Sequence, residues 1–305
     1  MFDYDAVIVG GGPAGLTAGL YLSRGNWRTL LVDKESPGGY IKNIELIENY
    51  PGFSEGIAGA HLATQMVKQA TNYGLKFEQA EVSMIEIFSS SKWVGCVDGK
   101  GFTTGSIIFT GGSVPKKLGV PGEEEFRDKG VIGCAFCDGG QFAGKTVVVC
   151  GGGDSGITEA LYLSKIADKV IVVEAMPQLN ATAILQDRLK ENPKMEVHTG
   201  TMVKEIIGNE HVEGINIVHD DRAEIIKTDG VLVHIGLDPN TSYLEGIVPL
   251  AETGQIEVNE WMETELPGVF AAGDIRSDSP RQVSAAVGDG AAAGIAAQRY
   301  LQKQG

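Results

Sequence analysis

The chain states one motif twice. Val7-Ile8-Val9-Gly10-Gly11-Gly12-Pro13-Ala14-Gly15 runs into Leu16-Thr17-Ala18-Gly19-Leu20-Tyr21-Leu22-Ser23, and Val148-Val149-Cys150-Gly151-Gly152-Gly153-Asp154-Ser155-Gly156 runs into Ile157-Thr158-Glu159-Ala160-Leu161-Tyr162-Leu163-Ser164. The spacing, Gly10 to Gly151, is 141 residues. Both copies reach a second apolar run, Thr29 to Val32 and Val170 to Val173, closed by an acid, Asp33 or Glu174, at the same offset. Each copy therefore reads as strand, G-x-G-x-x-G turn, helix, strand and acid, the context in which such a loop binds a dinucleotide. Gly10 and Gly151 make the tight turn, Gly12 and Gly153 let backbone approach a pyrophosphate, and Gly15 and Gly156 let helix pack on strand. Pro13 and Ala14, or Asp154 and Ser155, fill the first helical turn, whose free N–H groups and dipole favour an anion. Asp33 and Glu174 stand where a carboxylate accepts hydrogen bonds from ribose hydroxyls.

Two such units predict an α/β chain of two Rossmann-like, three-layer (ββα) nucleotide-binding domains, and 305 residues suffice for two. Between the copies the texture changes. Glu81–Phe88, Trp93–Val97, Gly101–Thr104 and Ser106–Thr110 read as short strands, with Asp98-Gly99 as a hairpin turn. This predicts a small antiparallel sheet inserted in the first nucleotide fold and ending at Phe109-Thr110-Gly111-Gly112. The second copy has its echo in the strand from Gly230 to Gly236. The tail returns with Gly268-Val269-Phe270-Ala271-Ala272-Gly273-Asp274, a strand, turn and acid, and Arg281-Gln282-Val283 opens a small-residue helix, Ser284 to Leu301. The second domain is thus expected inside the first: residues 1–114 and 244–305 form one domain, 115–243 the other. Val114-Pro115 and Thr241-Ser242 are the expected hinges.

A net charge of −15 disfavours nucleic acid or an anionic membrane as partner, since both select basic surfaces. No apolar run approaches the roughly 18 residues of a membrane span. The acidic opening, Met1-Phe2-Asp3-Tyr4-Asp5, is unlike a signal peptide, and the expected compartment is the cytoplasm. Of four cysteines only Cys134 and Cys137 are close, as Cys134-Ala135-Phe136-Cys137. In a reducing compartment a C-x-x-C pair is redox-catalytic or metal-binding. Zinc wants four ligands. Cys96 and Cys150 are isolated and read as buried small hydrophobes, and His61, His198, His211, His219 and His234 lack ligand spacing, so no metal site is expected. A C-x-x-C turn holds two thiols in disulfide reach and favours a thiolate. Trp27, Trp93 and Trp261 read as packing residues.

Taken together, the sequence resembles the low-molecular-weight thioredoxin reductases over its whole length. Gly10-Gly11-Gly12-Pro13-Ala14-Gly15 resembles their FAD pyrophosphate loop, and Glu48-Asn49-Tyr50-Pro51-Gly52-Phe53 a segment lying along the isoalloxazine. Cys134-Ala135-Phe136-Cys137-Asp138-Gly139 resembles C-A-T-C-D-G, and Gly273-Asp274 with Arg281-Gln282-Val283 resembles the C-terminal FAD contact. The pair precedes the second glycine loop, as in the small reductases and unlike the larger glutathione-reductase-like enzymes. The resemblance implies FAD held also by Lys34, Gly39, Asn49, Val82, Thr110 and Gly111. It implies that Cys137 faces the flavin, Cys134 attacks a thioredoxin-like partner and Asp138 moves the proton. A rotating second domain and a homodimer are likewise implied.

One departure bears on the electron donor. NADPH-using members carry H-R-R after the second strand of the second unit, and a further Arg four residues on. Here the positions hold Glu174-Ala175-Met176 and Asn180. Glu174 repels a 2′-phosphate, so NADPH is disfavoured and NADH, whose ribose hydroxyls suit Glu174, is the expected donor. Members lacking the basic cluster include some that take electrons from ferredoxin or a deazaflavin. A flavin disulfide reductase serving a peroxidase or glutaredoxin-like partner, and a non-catalytic dinucleotide sensor, are the other readings.

Overall fold

The computed structural model describes residues 2–304 and divides into two compact units, one running to Val114 and resuming at Pro239, the other spanning Pro115–Asp238. The first begins with β1 (Tyr4–Val9), α1 (Pro13–Arg24), β2 (Thr29–Asp33), α2 (Gly59–Asn72), β3 (Lys76–Gln79), β4 (Val82–Ile87), β5 (Lys92–Cys96) and β6 (Gly101–Phe109). The chain leaves it through β7 (Ser113–Pro115). The second unit holds β8 (Val131–Ile132), α3 (Ala135–Asp138), β9 (Thr146–Cys150), α4 (Asp154–Leu163), β10 (Lys169–Val173), α5 (Ala183–Glu191), β11 (Met195–His198), β12 (Thr201–Gly208), β13 (Val212–His219), β14 (Arg222–Lys227) and β15 (Gly230–Val233). After β16 (Leu237–Pro239), β17 (Val269–Ala271) and α6 (Val283–Gln304) complete the first unit.

In the first unit β3, β2, β1 and β6 lie side by side and parallel, with Val7 opposite Leu30 and Ile107. Strand alternation sorts their side chains into two layers. Ala6, Ile8, Leu31 and Ile108 face the helices, packing with Leu16, Leu22, Ala293 and Ala297. Val7, Val9, Leu30, Val32, Ile107 and Phe109 face the other way, onto Ile85 and Val94 of the meander. Each fully buried Val, Ile, Leu or Phe contributes roughly 1.5–3 kcal/mol relative to exposure. The second unit repeats the scheme with strand order β11-β10-β9-β15-β8. Val147, Val149, Val170, Val172 and Leu232 face α4 and α5, while Val148, Cys150, Ile171, Val173 and Val231 face the separate β12-β13-β14 sheet through Ile206, Ile215 and Ile217. Both are the three-layer α/β arrangement expected.

Three expectations need correction. The two runs expected at 101–104 and 106–110 form one strand, β6, which ends at Phe109. Its early residues pair with antiparallel β5 and its last three with parallel β17, so the first meander is continuous with the parallel sheet. Gly105 allows the run to continue where Leu301 leaves little space: a Cβ there would sit 3.0 Å from the Leu301 side chain. The second join falls at Asp238/Pro239, not 243/244. Thr241-Ser242 is inside the first unit, because Thr241 bonds the Gly254 carbonyl at 2.6 Å and Leu244 is fully buried in that unit's core. Finally, Trp261 is 40% exposed, its ring covered by Arg299 at 4.4 Å, whereas Trp93 does pack, over Gly95 and Gly101.

Candidate redox and dinucleotide sites

The first glycine loop sits at the carboxyl ends of β1, β2, β6 and β17, where ligands bind in open α/β sheets. Gly10 has φ of +114°, and a Cβ there would stand 2.4 Å from the Thr110 carbonyl oxygen. Thr110 returns the contact by donating its hydroxyl to the Gly10 carbonyl at 2.8 Å, and Gly111 follows alongside. A Cβ on Gly15 would lie 2.0 Å from the Gly10 oxygen, so helix and turn are in backbone contact. Gly12 differs: within 4 Å of its hypothetical Cβ there is only the Gly39 Cα, at 3.9 Å. The space before Pro13 is open, and α1 starts with neither a side-chain cap nor an acid in its first turn. An open, uncapped helix start of this kind is a cradle for a pyrophosphate.

The remaining predicted FAD residues gather in the same unit. Asp33 Oδ2 accepts the Gly11 N–H at 2.5 Å and Oδ1 the Glu35 N–H at 2.9 Å. Exposed Lys34 follows, its carbonyl bonded by Gln79, and Val82 begins β4 in the cluster that holds Val9 and Val32. Gly273, with φ of +81°, brings its turn against Ala14. Asn49 donates to Gln282 at 2.9 Å, beside Val283 at the start of α6, and Arg281 takes a left-handed φ of +53° just before them. The residues present thus fit a dinucleotide that carries a flavin at the α6 end.

Asp274 is half-buried, and burial raises its carboxyl above the ordinary value of 3.8, against the lowering effects of the Ser279 hydroxyl and of Arg281 and Arg276. The folded chain then holds the proton over a window in which the unfolded chain has lost it, so this group makes stability fall as pH rises through that window. Asp274→Asn is accordingly expected to raise the melting temperature of the flavin-free protein at pH 7 and to leave it unchanged at pH 3. Equal melting at both pH values would contradict this.

In the second unit the loop is rebuilt contact for contact. Gly151 has φ of +120° with its Cβ position 2.0 Å from the His234 oxygen, a Cβ on Gly156 would lie 2.1 Å from the Gly151 oxygen, and among the described residues, chain neighbours apart, nothing lies within 4 Å of a Cβ on Gly153. Glu174 Oε2 accepts the Gly152 N–H at 2.6 Å and Oε1 the Met176 N–H at 2.8 Å, the pattern of Asp33 moved by one repeat. Asp154 is turned to the Thr182 N–H at 2.7 Å, and Ser155 is exposed.

Cys134 and Cys137 form a disulfide with Cα atoms 5.4 Å apart. Cys134 is extended (φ −152°) and caps α3, its Sγ accepting the Cys137 N–H at 3.0 Å. That bond favours a thiolate on Cys134 once the disulfide opens. Asp138 follows on the exposed side of the turn, and Phe136 packs on Tyr162 at 5.7 Å. Cys96 and Cys150 are buried and free; burial pushes the Cys150 thiol up to about 12, which keeps it inert. Among the described residues no group of three His, Cys, Asp or Glu is placed to hold a metal ion, and no helix is long and apolar enough to cross a membrane.

Four residues outside the expected site set, Glu159, His234, Asp289 and Arg276, complete these sites. Glu159 and His234 stand behind the cysteine turn. Asp289, 8% exposed, binds Arg276 through both carboxylate oxygens (2.7 and 3.0 Å) and the Gly273 N–H at 3.1 Å. A lone acid in a helix of Ala and Gly was the available signal for Asp289.

Two dinucleotide folds and a C-x-x-C disulfide define a nucleotide-dependent disulfide oxidoreductase. Residues 4–290 match the family described as pyridine nucleotide-disulphide oxidoreductase. The thioredoxin reductase of Bacillus subtilis (strain 168) is 40% identical over 307 residues, covering 98% of this chain and 95% of that protein. That of Listeria innocua is 39% identical, covering 98% and 94%. Among solved structures, Lactococcus lactis thioredoxin reductase superposes with a TM-score of 0.96 at 35% identity, covering 99% of this chain and all of the other. T. acidophilum thioredoxin reductase gives 0.93 at 34%, covering 99% of each. The chain belongs to the pyridine nucleotide-disulphide oxidoreductase family, in its low-molecular-weight thioredoxin reductase branch.

Proposed function

We propose that the protein reduces the disulfide of a thioredoxin or thioredoxin-like protein, with NADH as electron donor. The observation that carries this is the Cys134–Cys137 disulfide, with Cys134 Sγ already on a backbone N–H, in the unit that also holds the second nucleotide loop. The disulfide takes up two electrons and two protons and opens to a dithiol. The Cys134 thiolate attacks the partner's disulfide and expels one partner thiolate; Cys137 then attacks Cys134, releases the reduced partner and restores the S–S bond. Asp138 is the group beside the pair for the proton that moves.

FAD, when bound, supplies the two-electron carrier between donor and disulfide. The first-unit residues set out above would hold it: the Gly12 cradle and α1 start for the pyrophosphate, Asp33 for ribose, Asp274 toward the ribityl chain, and Asn49, Gln282 and Val283 toward the ring. The donor reading rests on Glu174. Its carboxylate is fixed by two backbone N–H groups in the orientation that Asp33 has in the first unit, which suits ribose hydroxyls and opposes a 2′-phosphate. By the family resemblance the working form is a cytoplasmic homodimer, a state that sedimentation measures directly.

Anaerobic titration of the flavin-loaded protein tests the donor. NADH is expected to bleach the flavin rapidly and NADPH at least about tenfold more slowly, with thiols then appearing on added thioredoxin. Bleaching by neither, but by reduced ferredoxin or a reduced deazaflavin, would overturn the nicotinamide reading and leave the disulfide chemistry in place.

A further inference from the structure

The redox turn shows one large apolar side chain to solvent. Its first half is sunk: Cys134 is 9% exposed and Ala135 is fully buried. Phe136 is 47% exposed, and Cys137 and Asp138 after it are exposed as well. The next phenylalanine takes the opposite course. Phe142 is buried in the core of the second unit, against Gly230. Phe136 is braced on one side by Tyr162 of α4, with ring centroids 5.7 Å apart and planes tilted by 59°. The Lys165 ammonium lies 5.6 Å over the Tyr162 ring in turn. A braced aromatic with two side-chain torsions loses little entropy when another surface covers it. Phe136 is also a departure: it stands where C-A-T-C-D-G has threonine.

Single exposed apolar residues are common, and exposure by itself assigns nothing. The position does. Thiol–disulfide exchange passes through a mixed disulfide, in which a partner sulfur stands about 2.05 Å from a sulfur of the pair. Phe136 directly precedes Cys137, and adjacent Cα atoms are about 3.8 Å apart. A folded protein joined to either sulfur brings its surface onto this turn, and Phe136 is the apolar side chain the turn offers it. We propose that Phe136, held by Tyr162, is a specificity-determining residue that receives an apolar side chain flanking the disulfide of a thioredoxin-like partner. The proposal rests on the partner class proposed above and deepens it. Partners with an apolar rim around the disulfide are selected over those with a polar one, because a polar group laid on the ring loses its water and gains no hydrogen bond. An aromatic desolvated at the centre of an interface carries a large share of the binding.

The test is a dithiol–disulfide exchange that uses no nicotinamide. The flavin-loaded protein is reduced with dithiothreitol, freed of the excess and mixed anaerobically with increasing concentrations of oxidised thioredoxin. The Cys134–Cys137 dithiol closes to its S–S bond as that of thioredoxin opens, two electrons and two protons passing across. Acid quenching and alkylation read the new thioredoxin thiols. Phe136→Thr puts in the residue of the related motif, and Phe136→Leu keeps an apolar surface. The first is expected to raise the half-saturating thioredoxin concentration about five- to thirtyfold and to leave the maximal rate within about twofold; the second is expected to stay within about threefold of the unaltered protein in both. Iodoacetamide, too small to need docking, is expected to alkylate the reduced pair at the same rate in all three. An unchanged half-saturating concentration in Phe136→Thr overturns the proposal. So does a loss confined to the maximal rate with a matching change in alkylation, which would mean that Phe136 shapes the turn and not the docking. If Phe136→Thr fails to fold by circular dichroism, Phe136→Ser decides in its place on the same terms. Failure of the unaltered protein to reduce thioredoxin would overturn the proposed function and this proposal together. A working protein with Phe136→Thr as its equal would overturn this proposal alone.

Discussion

Cys134→Ser is expected to lower turnover of a thioredoxin disulfide by more than about a thousandfold while leaving bound flavin unchanged. The cysteines belong to the second unit and the glycine cradle to the first. The two serine variants separate in a second respect. Cys137→Ser keeps the attacking sulfur but cannot resolve the mixed disulfide, so it should accumulate a covalent adduct with its partner, visible by non-reducing electrophoresis. Cys134→Ser should form none. An adduct on Cys137 in place of Cys134 would reverse the assignment of roles, and activity surviving in both variants would remove the pair from the reaction.

The second large effect is expected at Gly12. Gly12→Val should yield a folded protein with flavin occupancy reduced at least about a hundredfold, because the side chain fills the space a pyrophosphate needs. Gly12 has an ordinary φ of −75°, and among the described residues, chain neighbours apart, only the Gly39 Cα comes within 4 Å of the added Cβ. The loss should therefore appear in the yellow absorbance and not in the far-ultraviolet circular dichroism. Gly15→Val is the contrast. Its Cβ would collide with the Gly10 oxygen at 2.0 Å, so fold and flavin should fail together. A yellow Gly12→Val protein would show that the cradle is not where the cofactor lies.

Much of this was legible because glycines at a fixed offset carry positional information. Gly10 and Gly15, with Gly151 and Gly156, make the tight turns and close helix contacts their spacing announced, Gly12 and Gly153 stand in open space, and the acids at Asp33 and Glu174 lie against their loops. What the residue string could not give was contact across distance. Glu159 of α4 meets Ala135 over 24 positions and lies by His234, just beyond β15, and neither spacing follows any period. Lys92 is a sharper case. It precedes an expected strand at Trp93 and looks like a solvated turn residue, yet it is 1% exposed, donating to the Gly105 carbonyl at 2.8 Å and lying 4.8 Å over the Tyr300 ring. A carbonyl and an aromatic face replace the carboxylate that a buried lysine ordinarily finds, and no local pattern marks them.

The crossings between the units have a consequence for how the protein can be taken apart. The first unit joins its own two cut ends, since Asn240 N–H bonds the Gly112 carbonyl at 3.1 Å. The second does the same, with Lys116 N–H on the Gly236 carbonyl at 3.0 Å. Each unit thus arrives with its termini tied together, and the inserted stretch spans no gap in its host. Loop-closure entropy, the usual cost of a long insertion, is largely absent when the insert brings its own ends into register. Excision of residues 115–238 with a short glycine bridge should leave a flavin-binding remnant, and the excised piece has a closed chain path of its own.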